Sequence, residues 1–358
     1  MSTQTPQSSS PNGDGVIAPA ANESSRVEHE VANDNAKRGG FFRGSSARNF
    51  GLILALVVLC IVGTVSAGER FASVDNLMVV LSQASIIGVL SIGMTFVITA
   101  GGIDLSVGSV LGLASVWATT LSTQAYAEAW GWWVIVLTSL LVGLGAGVVN
   151  GVLIAYGKVV AFIATLAMMV AARGFAELIA GRRTQIVNVD SFLETFRGDI
   201  LGIPVIVWIF VLVAVGGWFL LNRTTFGRRT VAVGGNPEAA RLAGIKVKRH
   251  TMYLYALVGL TAGIASVMML ARTTAGSSTN GMLYELDAIA AVVVGGTLLV
   301  GGRGTIVGTV LGVLIFATLT NIFIQANLDS SVQAIAKGAI IVVAVLLQQR
   351  FSSRAKTS

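Results

Sequence analysis

The chain has few side chains of the kind that catalyse reactions or bind metals. Its 358 residues include one cysteine, Cys60, and two histidines, His29 and His250, far apart in sequence. A single cysteine excludes an intrachain disulfide, and scattered histidines give no pattern for a zinc, iron or copper site. The segment Gly151–Val159 resembles a phosphate-binding loop only superficially, since Val159 stands where Ser or Thr should follow the lysine. We therefore expect no catalytic residue, no metal and no cofactor on this chain.

One acid stands within a long apolar region. Asp104 follows the adjacent Gly101 and Gly102 and is the only charged residue within 76–127. Paired glycines break a helix, and a carboxylate at membrane depth is costly and commonly functional. Two interpretations stay open and are compatible. Asp104 caps a helix that starts at Leu105, or it belongs to a broken helix beside a transport pathway.

The segment Gly235–Ile245 has the pattern of a short helix that is capped at both ends. Asn236 is a favoured N-cap, Pro237 suits the first helical position, and Glu238 complements the positive end of the helix dipole. Gly244 can adopt the left-handed conformation that ends a helix. Because a helix of about two turns is marginal alone, it either ties two membrane spans together or docks on a cytoplasmic partner.

A third segment, Gly295–Thr305, interrupts an apolar run with two glycine pairs and a charge at Arg303. It is either an irregular segment beside a pathway or a tight turn between helices, and we favour the turn. Elsewhere glycines recur every fourth residue, which lets helices approach closely. Such ladders are Gly143, Gly147, Gly151 and Gly304, Gly308, Gly312, with single pairs at Gly108, Gly112 and at Gly259, Gly263.

The composition indicates which kind of secondary structure must position these residues. Hydrophobic residues make up 54% of the chain and charged residues only 11%, against roughly 25% charged in soluble domains. The mean hydropathy is +0.79, which excludes a typical soluble enzyme, a disordered chain and a disulfide scaffold. We predict an all-α, polytopic integral membrane protein with about ten transmembrane helices. The predicted spans are 50–67, 77–100, 107–125, 132–156, 159–180, 201–221, 252–271, 286–302, 304–324 and 331–348.

The chain divides into three regions. Residues 1–49 are polar and predict a disordered cytoplasmic tail, 50–348 form the transmembrane domain, and 349–358 form a short basic tail. Lys and Arg concentrate in alternate loops, above all in 222–251, which places both termini in the cytoplasm. The net charge of +7 therefore reflects membrane topology, and we expect a lipid bilayer and no nucleic acid as partner.

Three runs resemble the permease subunits of ABC importers of the ribose, xylose and galactose type. They are Gly93–Gly112, Asn236–Ile245 and Ala288–Gly312, and the resemblance in length, order and spacing extends over about 50–350. The sequence departs from the family at 298–300, which is fully apolar where the family often has a serine, and in its long N-terminal tail.

The resemblance implies a function and a set of partners. It implies a multi-pass inner-membrane permease that imports a monosaccharide: a ribose-like pentose, a hexose or a polyol such as inositol. A second copy would complete a homodimer, a cytoplasmic ATPase would use ATP and Mg, and a periplasmic protein would deliver the sugar. The implied ATPase-coupling helix comprises Asn236, Pro237, Glu238, Ala239, Arg241, Leu242 and Gly244. The implied pathway residues are Phe96, Gly101, Gly102, Asp104 and Ser106.

An ion-coupled secondary transporter of a small polar solute is the alternative. Such a protein needs paired acids or bases within the membrane, and only Asp104 and the pair Arg173 and Glu177 qualify. Their i, i+4 spacing predicts that Arg173 and Glu177 pair with each other.

Overall fold

The computed structural model describes residues 48–329, 331–340 and 342, which form helices joined by short loops and two very short sheets. Seven of the described helices are long and apolar enough to cross a membrane. The long helices are α1 (Arg48–Ala67), α3 (Val74–Thr99), α6 (Trp133–Ala155), α7 (Ala161–Ala180), α9 (Val205–Arg223), α12 (Val247–Thr273) and α14 (Ile306–Gln325). The shorter helices are α2 (Glu69–Ala72), α4 (Val107–Ala118), α5 (Leu121–Trp130), α8 (Asp190–Arg197), α10 (Thr225–Gly235), α11 (Pro237–Leu242), α13 (Tyr284–Val294) and α15, described over 331–340.

Helices α3 and α12 form the centre of the bundle and are buried along most of their length. Both are apolar on all sides, as expected for helices surrounded by other helices. Three hydroxyl side chains lie on the buried face of α3, and each donates to the carbonyl oxygen four residues earlier. These are Ser91, Thr95 and Thr99. The internal bonds satisfy hydroxyl groups that have no water to bind at this depth.

The glycine ladders of α6 and α12 bring the two helix backbones into direct contact, as predicted. A Cβ atom on Gly143 would lie 2.7 Å from the backbone nitrogen of Gly263, and one on Gly147 would lie 2.9 Å from Cα of Gly259. A Cβ on Gly151 would meet the carbonyl oxygen of Met252 at 2.8 Å. The glycines therefore hold these two helices closer than any larger residue would allow.

Two predicted spans are not continuous helices. The segment 107–125 breaks at Thr119–Thr120, where the Thr120 side chain accepts from the backbone N–H of Thr123 and starts α5. The segment 286–302 is helical only to Val294, because the paired Gly295 and Gly296 end α13. At 12 and 11 residues, α4 and α13 are each shorter than a bilayer-spanning helix. Hydropathy alone therefore predicted spans that are longer than the helices α4 and α13.

Other predictions fall partly outside the described residues. The predicted tail 1–49 lies outside them except for 48–49, and the tail 349–358 lies wholly outside. Of the predicted span 331–348, the described part is helical over 331–340. There Lys337 pairs with Asp287 of α13 at 3.1 Å between Nζ and Oδ2.

The chain between α12 and α13 folds back along α4. Strand β1 (Gln185–Ile186) pairs antiparallel with β4 (Ala275–Gly276) at one end of α4, where Gly276 packs against the carbonyl group of Ser115. Further along, Gly281 packs against the backbone of Gly108 at the other end of α4. A hairpin joins β2 (Asp199–Ile200) to β3 (Ile203–Pro204). In the segment 275–283, Gly276 and Gly281 are buried against α4, while Thr279, Met282 and Leu283 are exposed.

The contact between α6 and α12 gives a test of the fold. We expect Gly147→Ala to destabilise the protein by about 1–3 kcal/mol, because the added methyl group collides with the α12 backbone. Gly145→Ala is the matched control: it lies on the same helix, and a Cβ there meets no atom within 4 Å. Thermal unfolding in detergent should show a lower midpoint for Gly147→Ala alone, and equal midpoints would contradict the packing.

Candidate functional site

Helix α11 begins as its sequence predicts. Asn236 is the N-cap, and its Oδ1 accepts from the backbone N–H groups of Glu238 and Ala239, both at 3.0 Å. Pro237 occupies the first turn, where it costs no hydrogen bond. The two side-chain bonds fix the direction in which the chain enters this short helix.

The end of α11 is also defined by local bonds. Gly244 has a φ of +84°, the left-handed conformation in which glycine is unstrained. Its N–H donates to the carbonyl oxygen of Arg241 at 3.0 Å, and the N–H of Ile245 donates to Ala240 at 3.0 Å. With both ends fixed, the helix is held in shape without a large buried face.

The surface of α11 is exposed. Ala240 is its only buried residue, and Leu242 is 75% exposed. Glu238 and Arg241 form an exposed ion pair, with 2.6 Å between Oε1 and Nη2. The Arg241 guanidinium lowers the pKa of the Glu238 carboxyl, and the carboxylate raises the pKa of Arg241. Such an exposed pair adds little stability because solvent screens it, so α11 presents charges and an apolar side chain to the solvent.

Glycines from three parts of the chain meet beside α11. They belong to the end of α3 (Gly101), the end of α10 (Gly234) and the segment 295–305 (Gly301 and Gly302). The N–H of Gly302 donates to the carbonyl oxygen of Thr99 at 2.8 Å. We call this contact the glycine junction.

The glycine junction admits no side chains. A Cβ on Gly301 would lie 2.7 Å from the carbonyl oxygen of Gly234 and 3.0 Å from the nitrogen of Gly101. A Cβ on Gly234 would collide with the carbonyl oxygen of Thr99. Gly101, Gly301 and Gly302 also have φ values of +83°, +85° and +78°, which favour glycine. The backbones of α10, α3 and the segment 295–305 are therefore in direct contact at the junction.

Asp104 caps the turn that leads into α4. It is 1% exposed, and its Oδ1 accepts from the N–H of Ser106 at 2.8 Å and from its Oγ at 2.6 Å. The helix starts at Val107 with Ser106 as N-cap, two residues later than predicted. Asn150 of α6 donates from Nδ2 to Ser106 Oγ at 3.0 Å. Asp104 therefore helps to position the start of α4. Its Oδ2 atom takes no part in these two bonds.

The other predicted pathway residues occupy different environments. Phe96 is buried, with its ring 6.1 Å from that of Phe226 in α10. Gly101 is exposed at the glycine junction, and Gly102 packs against the hydroxyl group of Tyr255. The structure thus brings Gly102, Asp104 and Ser106 together around the start of α4, while Phe96 lies on the inner side of α3.

The predicted pairing of Arg173 with Glu177 is wrong. Arg173 instead donates to the backbone carbonyl oxygens of Ser278 and Asn280, and Glu177 pairs with Arg182 at 3.6 Å. The Arg173 side chain therefore binds carbonyl groups of the folded-back segment 275–283 and not its neighbour Glu177 on the same helix. Spacing along α7 could not reveal this long-range contact.

Sequence reasoning gave no role to Glu285, which the structure buries at the start of α13. Its side chain is 8% exposed, and within the described ranges its Oε2 has no hydrogen-bond partner. It packs against Gly108 at the start of α4, and Arg173 attracts it electrostatically. In the sequence, the signal for such a role was the position of Glu285 as an acid between two apolar runs.

Comparison with known proteins identifies the family. Residues 76–345 match the model described as "Branched-chain amino acid transport system / permease component". The chain is 40% identical over 306 residues to the ribose import permease protein RbsC of Escherichia coli (strain K12), covering 84% of this chain and 92% of RbsC.

Two further relatives are permeases for other pentoses by name. The L-arabinose ABC transporter permease protein AraH of Azospirillum brasilense is 33% identical, covering 96% of this chain and 95% of AraH. The xylose transport system permease protein XylH of Escherichia coli (strain K12) is 34% identical, covering 88% and 96%. No solved structure matches the chain significantly.

The chain belongs to this family of transport-system permease components. It is a mostly helical, multi-pass protein of the bacterial inner membrane. The resemblance inferred from the three runs of residues is confirmed. The comparisons do not assign roles to single residues, so the site residues stay predictions.

The glycine junction can be tested with neighbouring residues. We expect Gly234→Ala to lower the thermal midpoint in detergent, because overpacking of this kind costs about 1–3 kcal/mol. Gly235→Ala is the control, since a Cβ on Gly235 meets no atom within 4 Å. A midpoint unchanged in Gly234→Ala would show that the backbones separate freely and that the junction is not tight.

Asp104 can be tested by separating its charge from its hydrogen bonds. Asp104→Asn keeps an oxygen that can accept from both groups of Ser106, so we expect the thermal midpoint to change little. Asp104→Ala leaves the buried N–H and hydroxyl of Ser106 without this partner, at a cost of about 1–3 kcal/mol. If both variants lost stability equally, the charge and not the cap would be the essential feature.

Proposed function

We propose that the chain is the permease subunit of an ATP-driven ABC importer and forms the pathway for a monosaccharide. The substrate class is a ribose-like pentose, a hexose or a related polyol such as inositol. The names of RbsC, AraH and XylH support a pentose first. The observation that carries the proposal is α11: a short exposed helix, capped at both ends, in a chain with seven described helices long and apolar enough to cross a membrane.

The ATPase is a separate subunit that docks on α11. Leu242 gives an apolar anchor, and Glu238 and Arg241 give charges of both signs, which suits a helix that fits into a groove. The permease itself binds no cofactor, and ATP and Mg are used by the ATPase. Closure of the ATPase pushes α11, and the glycine junction passes this motion to α3 and to the segment 295–305.

The remaining partners follow from the pathway. Two copies of the permease form a homodimer around one central pathway, and a periplasmic binding protein delivers the sugar from the opposite side. Within each copy, Phe96, Gly101, Gly102, Asp104 and Ser106 lie near this pathway. The non-helical segments 100–106 and 295–305 support this placement, because breaks between helices of transporters commonly border the pathway.

The topology has about ten passes with both termini in the cytoplasm. The seven long helices account for seven passes. The pair α4 and α5, the segment from β4 to 305, and α15 account for three more. The ends of α3 and α10 meet at the glycine junction together with 301–302, which puts them at one face. That face carries the basic loop 222–251, which belongs in the cytoplasm.

An ion-coupled transporter has less support. It needs acids or bases free to exchange ions, whereas Asp104 accepts two bonds from Ser106 and Arg173 is bonded to two carbonyl groups. The Glu177 side chain is engaged with Arg182. The curated relatives are also named as components of import systems rather than as single-chain carriers.

The decisive experiment is co-purification of the tagged full-length chain with a co-expressed ATPase from the same gene cluster. The complex is then assayed for ATP hydrolysis with the binding protein and a panel of pentoses, hexoses and inositol. We expect a stable complex whose hydrolysis rises with one sugar. A chain that purifies alone and transports on an ion gradient in liposomes would reject the proposal.

Charge reversal on α11 tests the coupling role. We expect Glu238→Lys or Arg241→Glu to abolish sugar uptake, with normal amounts of protein in the membrane, because either change puts two like charges at i, i+3 on the docking face. The double variant Glu238→Arg/Arg241→Glu restores the ion pair in reverse. If the double variant is present in normal amounts but does not take up sugar, the ATPase recognises the positions of the two charges. Unchanged sugar uptake in both single variants would show that α11 has no part in coupling.

A further inference from the structure

A basic cavity of about 530 Å³ lies beside α11, between α10 and the start of α12. Its charged lining consists of Arg229, Lys246 and Arg249, and its apolar lining includes Phe226 and Tyr253. Gly244 and Ile245, at the end of α11, border the cavity, but the proposed coupling mechanism gives its basic residues no role. The cavity therefore needs its own explanation.

The basic residues of the cavity have no acidic partner. Throughout the part of the chain that the structure describes, no carboxylate lies within 4.0 Å of Arg229, Lys246 or Arg249. The loop 222–251 contains seven Lys and Arg residues and a single acid, Glu238, which pairs with Arg241. The cavity thus has a positive charge that nothing in this region neutralises.

Two features orient that charge for an anion. Arg249 is held against Tyr253: its Nε donates to the hydroxyl oxygen at 2.5 Å, and its guanidinium lies 5.4 Å from the ring centroid. The cavity also includes the start of α12, where Lys246 provides no side-chain cap. The first N–H groups of this long helix add the positive end of its dipole. A phosphate group is the anion that such an arrangement binds best.

A separate apolar groove adjoins the cavity. It has a volume of about 320 Å³, and it shares Phe226 and Tyr253 with the cavity. The groove then follows α12 past Ala256, Leu257 and Leu260. A ligand that fills both spaces has a negative head at the basic end and a hydrocarbon chain along the helix.

We propose that the cavity and the groove together bind one anionic phospholipid. Arg229, Lys246 and Arg249 contact its phosphate, and an acyl chain lies against Leu257 and Leu260. A free phosphate-bearing metabolite has the same head chemistry but leaves the apolar groove empty, so the position of the groove directly beside the basic cavity favours a lipid. This inference does not depend on the identity of the sugar or of the ATPase.

The test is native mass spectrometry of the delipidated full-length chain with added phosphatidylglycerol, phosphatidylcholine or inorganic phosphate. We compare Arg229→Gln/Lys246→Gln/Arg249→Gln with Arg223→Gln/Arg228→Gln/Lys248→Gln, which removes the same charge from exposed positions outside the cavity. We expect tight binding of phosphatidylglycerol only. The first variant should weaken it by at least about tenfold, since each basic residue near an anionic lipid contributes about 1 kcal/mol.

The groove is tested separately by filling it. Ala256→Phe should weaken phosphatidylglycerol binding while leaving the cavity charges in place. Its control is Ala214→Phe, in a groove of about 350 Å³ whose lining has no basic residue. Arg229→Lys/Arg249→Lys, which keeps the charge, should retain binding and shows that the cavity folds correctly.

Several results would overturn the lipid site. Equal loss in both triple variants means that binding is only general attraction to positive charge. Inorganic phosphate that binds as tightly as phosphatidylglycerol means that the groove plays no part. If the cavity variant keeps the lipid but loses co-purification with the ATPase, the cavity is a protein contact instead.

Discussion

The architecture depends on backbone contacts that only glycine permits. At the glycine junction, Gly234, Gly101 and Gly301 bring the ends of α10 and α3 and the segment 295–305 into van der Waals contact. On the other side of the bundle, glycines of α6 and α12 do the same between two helices. In lipid, helices gain little from hydrophobic burial against each other, so close packing supplies much of the attraction. The glycine junction connects the exposed α11, through α10, with the buried centre of the bundle.

The interrupted segments show how the protein keeps polar backbone inside a membrane. The folded-back chain 275–283 lies along α4, and its carbonyl groups at Ser278 and Asn280 accept from Arg173. Near the same end of α4, Asp104 accepts from Ser106 in the turn before the helix, and Asn150 bonds that turn to α6. Charged and amide side chains thus replace the water that these backbone groups would otherwise bind. Short helices joined by such turns can shift relative to long neighbours at lower cost than a continuous helix can bend.

The sequence predicts local structure here better than long-range contacts. The ends of α11 follow from Asn236 and Gly244, because a cap is decided within a few residues. The breaks after Ala118 and Val294 lie inside apolar runs, where hydropathy cannot place them. Arg173 illustrates the main failure: its helical neighbour was visible in sequence, but its true partners are 105 and 107 residues away. The glycine pairs at 101–102 and 301–302 were each recognised as breaks, and only the fold shows that they meet.

The position of the basic loop has a consequence beyond topology. Several of the basic residues that orient the chain in the membrane lie near α11, and three of them line a cavity that adjoins an apolar groove along α12. An anionic lipid held there would neutralise charge next to α11 and brace the first turn of α12 against α10. The end of α10 is one wall of the glycine junction. The lipid headgroup, α11 and the glycine junction would therefore all adjoin α10. A bound lipid would alter how readily α10 moves when a partner presses on α11.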